Sequence, residues 1–215
     1  MKNANLSRRT GSGMFASLSG THQQMKAEFC HPANPLDQEY SALVSNDVLN
    51  FLDMRRHIYS ACREAATSRK PLSLLMVAID ELPELTANYG EMAAEQANCF
   101  VMSLLSYHRE MYFGRRNRVL IGEYVPGRYL MLLPETAGLV ASDIAEYFRK
   151  IISENAFVCN SRQIWLTVSV GVVFKPAHDG DQDFMVLQAD RACAEAERAG
   201  GDKVFLARSM HPDWS

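Results

Sequence analysis

The segment that most constrains the fold is Leu72–Ile79, whose sequence LSLLMVAI is apolar except for one serine. It is far shorter than the roughly 18 apolar residues that cross a bilayer, and it suits a strand that is buried on both faces. Such a strand lies inside a sheet that other elements cover on both sides. We therefore expect a layered fold with a full core, which a chain of 215 residues that is 47% hydrophobic can build.

The rest of the chain alternates between helical and extended patterns. Apolar residues at helical spacing, with Pro or Gly at the breaks, predict helices over residues 47–67, 81–88, 91–108, 138–154 and 183–199. Alternating apolar residues predict one long strand over Ile164–Phe174, and Val204–Ala207 is a short last strand. This order predicts an α/β fold, an α+β sandwich in which helices cover a central sheet.

A β-hairpin is predicted between residues 119 and 133. Two apolar runs, Val119–Ile121 and Tyr129–Leu133, flank a short segment that carries Pro126 and Gly127. Proline fixes φ and glycine tolerates positive φ, so Val-Pro-Gly-Arg is typical of a tight turn. On this pattern alone, the turn is either a plain connection or the carrier of a site at its tip.

Charge and cysteine usage exclude several classes of protein. A net charge of -3 and a pI of about 6.1 provide no basic field for nucleic acid or a membrane surface. We find no transmembrane segment and no apolar region of a secretory signal. The five cysteines are scattered without the spacing of a zinc site, which suits a reducing cytoplasm.

Composition divides the chain into three parts. Residues 1–40 mix Ser, Gly, Asn, His and Pro without periodicity, which predicts a disordered or partner-dependent leader. Residues 41–208 carry the periodic patterns and form the predicted domain. Residues 209–215 are predicted to be a tail.

Several stretches between about Asp47 and Arg208 resemble motifs of the GGDEF domain of bacterial diguanylate cyclases. They are Asp47–Arg56, Ala78–Pro83 with Tyr89-Gly90, Leu132–Thr136, Thr167–Val172 and Ala189–Gly200. The resemblance implies the fold of that family, a central and mostly antiparallel sheet covered by helices, in a bacterial cytoplasmic protein. It also implies kinship with enzymes that condense two GTP molecules into cyclic di-GMP.

The catalytic positions depart from the family pattern. The signature aligns with Val125-Pro126-Gly127-Arg128-Tyr129, and the resemblance places the two metal carboxylates at Ala78 and Gly127. Neither Ala nor Gly offers an oxygen for Mg²⁺. Phosphoryl transfer of this kind needs metal to neutralise the polyphosphate, so we expect lost catalysis, no bound metal and no cofactor.

The nucleotide pocket is also altered. The Asn that reads guanine in the family aligns with Thr86, and its Asp partner aligns with Glu95. The lysines that hold phosphates align with Pro83 and Glu197, and a carboxylate at 197 would repel a triphosphate. Asp80 and Glu95 remain as acids near the site, either as ligand contacts or as ordinary loop and cap residues.

An inhibitory product site of the family, with the pattern R-x-x-D, aligns with Arg116–Val119. Its arginine is present as Arg116, whereas Val119 replaces its aspartate. Arginine forks suit phosphate and guanine edges, so Arg116 and Arg118 are candidate contacts for cyclic di-GMP. The alternative is that these arginines are only a solvated, charged segment that precedes the hairpin.

Three functions follow, in order of preference. The first is a catalytically inactive adaptor that binds another signalling or secretion-system protein, as a homo- or heterodimer, through its helices or the hairpin tip Val125–Tyr129. Its setting would be cyclic di-GMP-linked control of exopolysaccharide, biofilm or motility. The second is a receptor for cyclic di-GMP or GTP, with weak binding through the Arg116/Arg118 cluster or the modified pocket. The third is a residual cyclase.

Overall fold

The computed structural model describes residues 48–114, 118–175 and 182–207. The predicted leader, the predicted tail and Arg116 lie outside these residues. The described chain folds as a mixed sheet between two layers of helices, which confirms the predicted α+β sandwich.

Six strands form the main sheet in the order β1-β3-β4-β2-β7-β8, and β5 pairs with β6 as a separate hairpin. The strands are β1 (Val48–Leu49), β2 (Leu72–Ile79), β3 (Leu120–Val125), β4 (Arg128–Pro134), β5 (Ala156–Cys159), β6 (Arg162–Trp165), β7 (Val168–Lys175) and β8 (Val204–Leu206). Strand β2 pairs antiparallel with β4 and β7, and all its residues are buried. The central position predicted for this strand is therefore confirmed.

The helices are α1 (Phe51–Ser68), α2 (Leu82–Tyr89), α3 (Glu91–Phe113), α4 (Gly138–Glu154) and α5 (Gln182–Arg198). Alternate residues of β2 face opposite layers, as the period of a strand requires. Leu74, Met76 and Ala78 share a buried cluster with residues of α1 and α5. Leu75 and Val77 belong to the larger cluster formed with α3 and α4.

The first helix begins later than the sequence pattern indicates. Val48 and Leu49 form a short strand that pairs in parallel with Ile121 and Gly122. Asn50 caps the helix that follows, because its Oδ1 accepts a hydrogen bond of 3.0 Å from the backbone N–H of Asp53. Two paired residues are too few to leave a recognisable pattern.

The single long strand predicted over Ile164–Phe174 is wrong. Strand β6 ends at Trp165 and pairs antiparallel with the preceding strand β5. Strand β7 begins at Val168 and belongs to the main sheet. The apolar alternation continues through the break, so periodicity could not reveal it. The β5–β6 turn uses Asn160 and Ser161 at positive φ, which suits a two-residue hairpin.

Helix α5 packs unusually close to β7. A side chain at Gly171 would begin 2.1 Å from the carbonyl oxygen of Ala189 and 2.3 Å from the backbone nitrogen of Cys193. The small residues Ala189, Ala192 and Cys193 of α5 therefore let it approach the sheet. Burial raises the pKa of the Cys193 thiol to about 12, so this sulfur stays protonated in the folded protein.

Candidate functional site

The turn between β3 and β4 is tight and closely packed. Gly127 has a φ of +82°, and its carbonyl oxygen accepts a hydrogen bond of 2.9 Å from the backbone N–H of Ile79. A side chain at this position would begin 2.4 Å from Cδ2 of Leu82. Glycine at position 127 therefore satisfies both the turn conformation and the contact with α2.

Arg128 begins β4 and lies directly across the strand ladder from Ala78 of β2. Its Nη1 donates to Asp190 Oδ1 at 3.0 Å, and its Nη2 lies 2.8 and 2.6 Å from the two carboxylate oxygens of Glu197. Both acids stand on α5. We call these three residues the Arg128 cluster.

The charge of Arg128 is stabilised in place. Burial disfavours the cation, but the hydrogen bond and the charge of Glu197 outweigh that effect, so the pKa of Arg128 is raised above its ordinary value. The side chain is 27% exposed. The guanidinium is therefore a fixed cation. Its residue follows Gly127 in the chain and pairs with Ala78 across the strand ladder.

The described residues around Ala78 and Gly127 do not fit a divalent metal. Ala78 is buried in the core cluster under α1 and α5, and neither residue carries a side-chain oxygen. Arg128, the ladder partner of Ala78, brings a cation to this edge of the sheet, and its guanidinium is bound by the carboxylates of Asp190 and Glu197. Within residues 48–114, 118–175 and 182–207, no group of three or more His, Cys, Asp or Glu side chains is arranged to hold a metal.

Asp80 serves as a link between three segments. Its Oδ2 accepts from Thr167 Oγ1 and from the backbone N–H of Asp202, each at 2.8 Å, and its Oδ1 accepts from Ser169 Oγ at 2.7 Å. These contacts tie the end of β2 to β7 and to the loop after α5. Asp80 therefore has a structural role, and its predicted ligand contact stays a prediction.

A cavity of about 660 Å³ lies between the start of α1, helices α2 and α3, and strand β3 with its turn. We call it the α3 cavity. It is lined by Asn50, Phe51, Leu82, Thr86, Glu91, Ala94, Glu95, Gln96, Asn98, Cys99, Met102, Glu123, Tyr124, Val125 and Pro126. The structure thus brings together Thr86, Glu95, Val125 and Pro126 of the predicted site residues.

Sequence reasoning missed most of the lining. The α3 residues Glu91, Glu95, Asn98 and Met102 recur every three or four positions, so they share one face of the helix. That spacing is a usable signal. Phe51 and Tyr124 carry no such signal, because they come from distant parts of the chain; their rings meet edge to face with centroids 5.0 Å apart.

The polar groups of the α3 cavity include hydroxyl, amide and carboxylate side chains. Thr86 Oγ1 donates to the Leu82 carbonyl oxygen at 2.8 Å, and Asn98 Oδ1 accepts from the Tyr129 hydroxyl at 2.9 Å. Gln96 Oε1 is buried without a hydrogen-bond partner among the described residues. Glu91, Glu95 and Glu123 add three carboxylates, and the described lining contains no Lys, Arg or His.

The hairpin tip exposes two of the five residues predicted to meet a partner. Val125 is 45% exposed and Pro126 is also exposed. Tyr129 and Gly127 are buried, and Arg128 is engaged with α5. Tyr129 is therefore not a surface residue, because its ring faces the core and its hydroxyl donates to Asn98.

Arg118 lies away from the α3 cavity and is held by acids. Its Nη1 donates to Glu64 Oε1 at 2.9 Å, Nη2 contacts Glu64 Oε2, and Glu135 lies 3.7 Å away. The hydrogen bond with Glu64 raises the pKa of Arg118. A ligand at Arg118 would have to compete with Glu64.

None of the helices in the described part of the chain combines the length and apolarity needed to cross a membrane.

Comparison with known proteins places the fold. The profile of the family "Diguanylate cyclase, GGDEF domain" matches residues 46–203. Diguanylate cyclase A of Treponema denticola is 22% identical over 177 residues, which cover 79% of this chain and 46% of that protein. The chain spans about half the length of the curated relatives it matches.

Solved structures agree on the fold. The GGDEF domain of DgcB from Caulobacter crescentus, in complex with c-di-GMP, superposes with a TM-score of 0.68 at 20% identity, over 75% of this chain and 90% of that one. The diguanylate cyclase SiaD from Pseudomonas aeruginosa, in complex with its activator SiaC, gives a TM-score of 0.62 at 22% identity. That match covers 90% of this chain and 70% of SiaD.

Proposed function

The chain belongs to the GGDEF domain family, whose matched curated relatives are diguanylate cyclases, and we propose that it is a non-catalytic member that acts by binding another protein. The observation that carries this proposal is the Arg128 cluster. Its arginine follows Gly127 in the chain and pairs with Ala78 in the strand ladder, the two positions that the family resemblance assigns to metal carboxylates, and its guanidinium is held by both acids of α5.

The chemistry of GTP condensation supports this conclusion. The attacking 3′-oxygen and the departing pyrophosphate need metal-held neutralisation of their charge. Ala78 and Gly127 supply no metal ligand, and Glu197 stands where the resemblance places a phosphate-binding lysine. Pro126 also lacks the backbone N–H that a glycine would offer to phosphate. Each lost contact removes several kcal/mol of transition-state stabilisation.

Protein binding is a role that a retained fold can serve without catalysis. The relative SiaD forms a complex with an activator protein, which supports such a role for this fold. The exposed pair Val125-Pro126 is the surface that we assign to the partner. The partner is a signalling or secretion-system protein of a bacterial cytoplasm, in cyclic di-GMP-linked control of exopolysaccharide, biofilm or motility.

A pair of matched variants tests the partner surface. Val125 and Val158 are 45% and 44% exposed, but Val158 lies on β5, away from the hairpin tip. We expect the full chain to co-purify with a stoichiometric partner that Val125→Asp releases and Val158→Asp retains. Loss in both variants, or retention in both, contradicts the assignment of the hairpin tip.

A second candidate function is a cyclic di-GMP receptor that uses Arg118. The observation that favours it is the exposure of this side chain, 57%, on the approach to β3. Calorimetric titration with cyclic di-GMP tests it. Binding that Arg118→Ala abolishes and Arg63→Ala preserves would establish the receptor, whereas an absence of heat removes it.

A further inference from the structure

We propose that the α3 cavity binds a small organic cation, with a flat apolar body and a donor-rich charged end, in place of a nucleotide. Its volume of about 660 Å³ falls within the range of small-molecule sites. This inference goes beyond the proposed function, because it concerns a ligand and not a partner protein.

Charge sets the class of ligand. Glu91 and Glu95 are exposed at the cavity mouth, one helical turn apart on α3. The described lining contains no Lys, Arg or His. Both exposed glutamates repel a phosphate that enters the cavity, whereas a cation is attracted by both.

Hydrogen bonding points the same way. The Thr86 hydroxyl already donates to Leu82, so it offers an incoming group an acceptor. The buried Gln96 Oε1 is an unsatisfied acceptor, a state that costs free energy unless a donor reaches it. An amidinium, guanidinium or ammonium supplies several N–H donors and no acceptor, so it complements the two acceptors at Thr86 and Gln96.

The walls suit a flat apolar body. Phe51 and Tyr124 form an aromatic corner, and Leu82, Met102 and Val125 complete an apolar surface. Aromatic faces also attract cations through the negative charge of the ring face. The same cavity therefore provides both an apolar platform and a cation-binding rim.

Three probes of one shape separate charge from size. Benzamidine is an aromatic cation, benzamide its neutral counterpart and benzoate its anionic one. We expect benzamidine to shift the NMR signals of α3 and β3 residues in the full chain at millimolar concentration, with benzamide weaker and benzoate without effect. Benzoate binding as tightly as benzamidine, or no shift with benzamidine, overturns the proposal.

Variants locate the site. Glu95→Gln should weaken benzamidine about five-fold, the upper range for an ion pair with an exposed carboxylate. Glu195→Gln removes an exposed acid from α5 and should leave the affinity unchanged. Equal affinity in Glu95→Gln and the unmodified chain overturns the assignment to the α3 cavity. Cyclase assays and partner capture do not depend on this titration, so either proposal can fail alone.

Discussion

Arg128 on β4 and Glu197 on α5 form an ion pair, with Nη2 2.8 and 2.6 Å from the two carboxylate oxygens. The family resemblance implies the opposite charges, an acid at 128 and a lysine at 197. By that resemblance, the two positions here carry the opposite signs and are still complementary. Complementarity is maintained because a part-buried charge without its partner destabilises a fold by several kcal/mol.

Reversing one charge tests this coupling. Glu197→Lys places two cations together, so we expect the free energy of unfolding in urea to fall by about 2 kcal/mol. Adding Arg128→Glu should recover part of the loss, because opposite charges face each other again. Glu195→Lys, on the exposed face of the same helix, serves as control and should change stability little. If the double variant loses as much free energy of unfolding as the two single variants lose together, the coupling is contradicted.

Gly171 is required by the packing of α5 on β7. In Gly171→Ala the new methyl meets backbone atoms 2.1 and 2.3 Å away, which cannot rotate aside. We expect a loss of about 3 kcal/mol in urea unfolding. Gly138→Ala is the comparison: its methyl meets only the ring of Phe174, a partly exposed side chain that can shift, so we expect a loss of about 1 kcal/mol or less. Equal losses would show that the contact with backbone atoms is not the cause.

Asp80 should prove structural. Asp80→Asn replaces one acceptor oxygen with an NH₂ group, so the remaining oxygen can accept either from Ser169 or from Thr167 and the backbone N–H of Asp202, but not from all three. We expect about 2 kcal/mol less stability. Asp143→Asn, at an exposed position on α4, should be neutral. Unchanged stability in Asp80→Asn would reopen its role as a ligand contact.

His108 should make stability depend on pH. Burial lowers its pKa in the folded state, where Nδ1 lies 3.1 Å from the Tyr147 hydroxyl, so the unfolded chain takes up the proton first. The free energy of unfolding should therefore fall as the pH drops through about 6.5, then level off once folded His108 also protonates. His108→Gln should flatten this slope in urea unfolding across that range. The exposed His57→Gln should not, and an equal slope in both variants contradicts the prediction.

Local patterns predicted much of the fold. The bounds of β2 and α4 follow from an unbroken apolar run and a clear helical stripe, so they match the structure residue for residue. The β5–β6 hairpin escaped prediction because the alternation of Ile164 and Leu166 continues into β7. Short-range pattern cannot show which strand a residue pairs with.

The candidate site was less accessible from sequence. Arg128 and Glu197 are 69 positions apart, and only the fold brings them into contact. The walls of the α3 cavity likewise come from α1, α2, α3 and β3, so its aromatic corner has no local signature. Only the family resemblance predicted Thr86 and Glu95 as site residues, and both line the cavity in the structure.

The most direct test of the account is a search for cyclic di-GMP made by the purified full chain. GTP is supplied with Mg²⁺ or Mn²⁺, product is measured by mass spectrometry, and an active diguanylate cyclase is the positive control. We predict no product above the protein-free blank, because neither Ala78 nor Gly127 has a side-chain oxygen to offer a metal and Arg128 pairs with Ala78 across the strand ladder. Repeated turnover that a chelator abolishes would contradict the central claim.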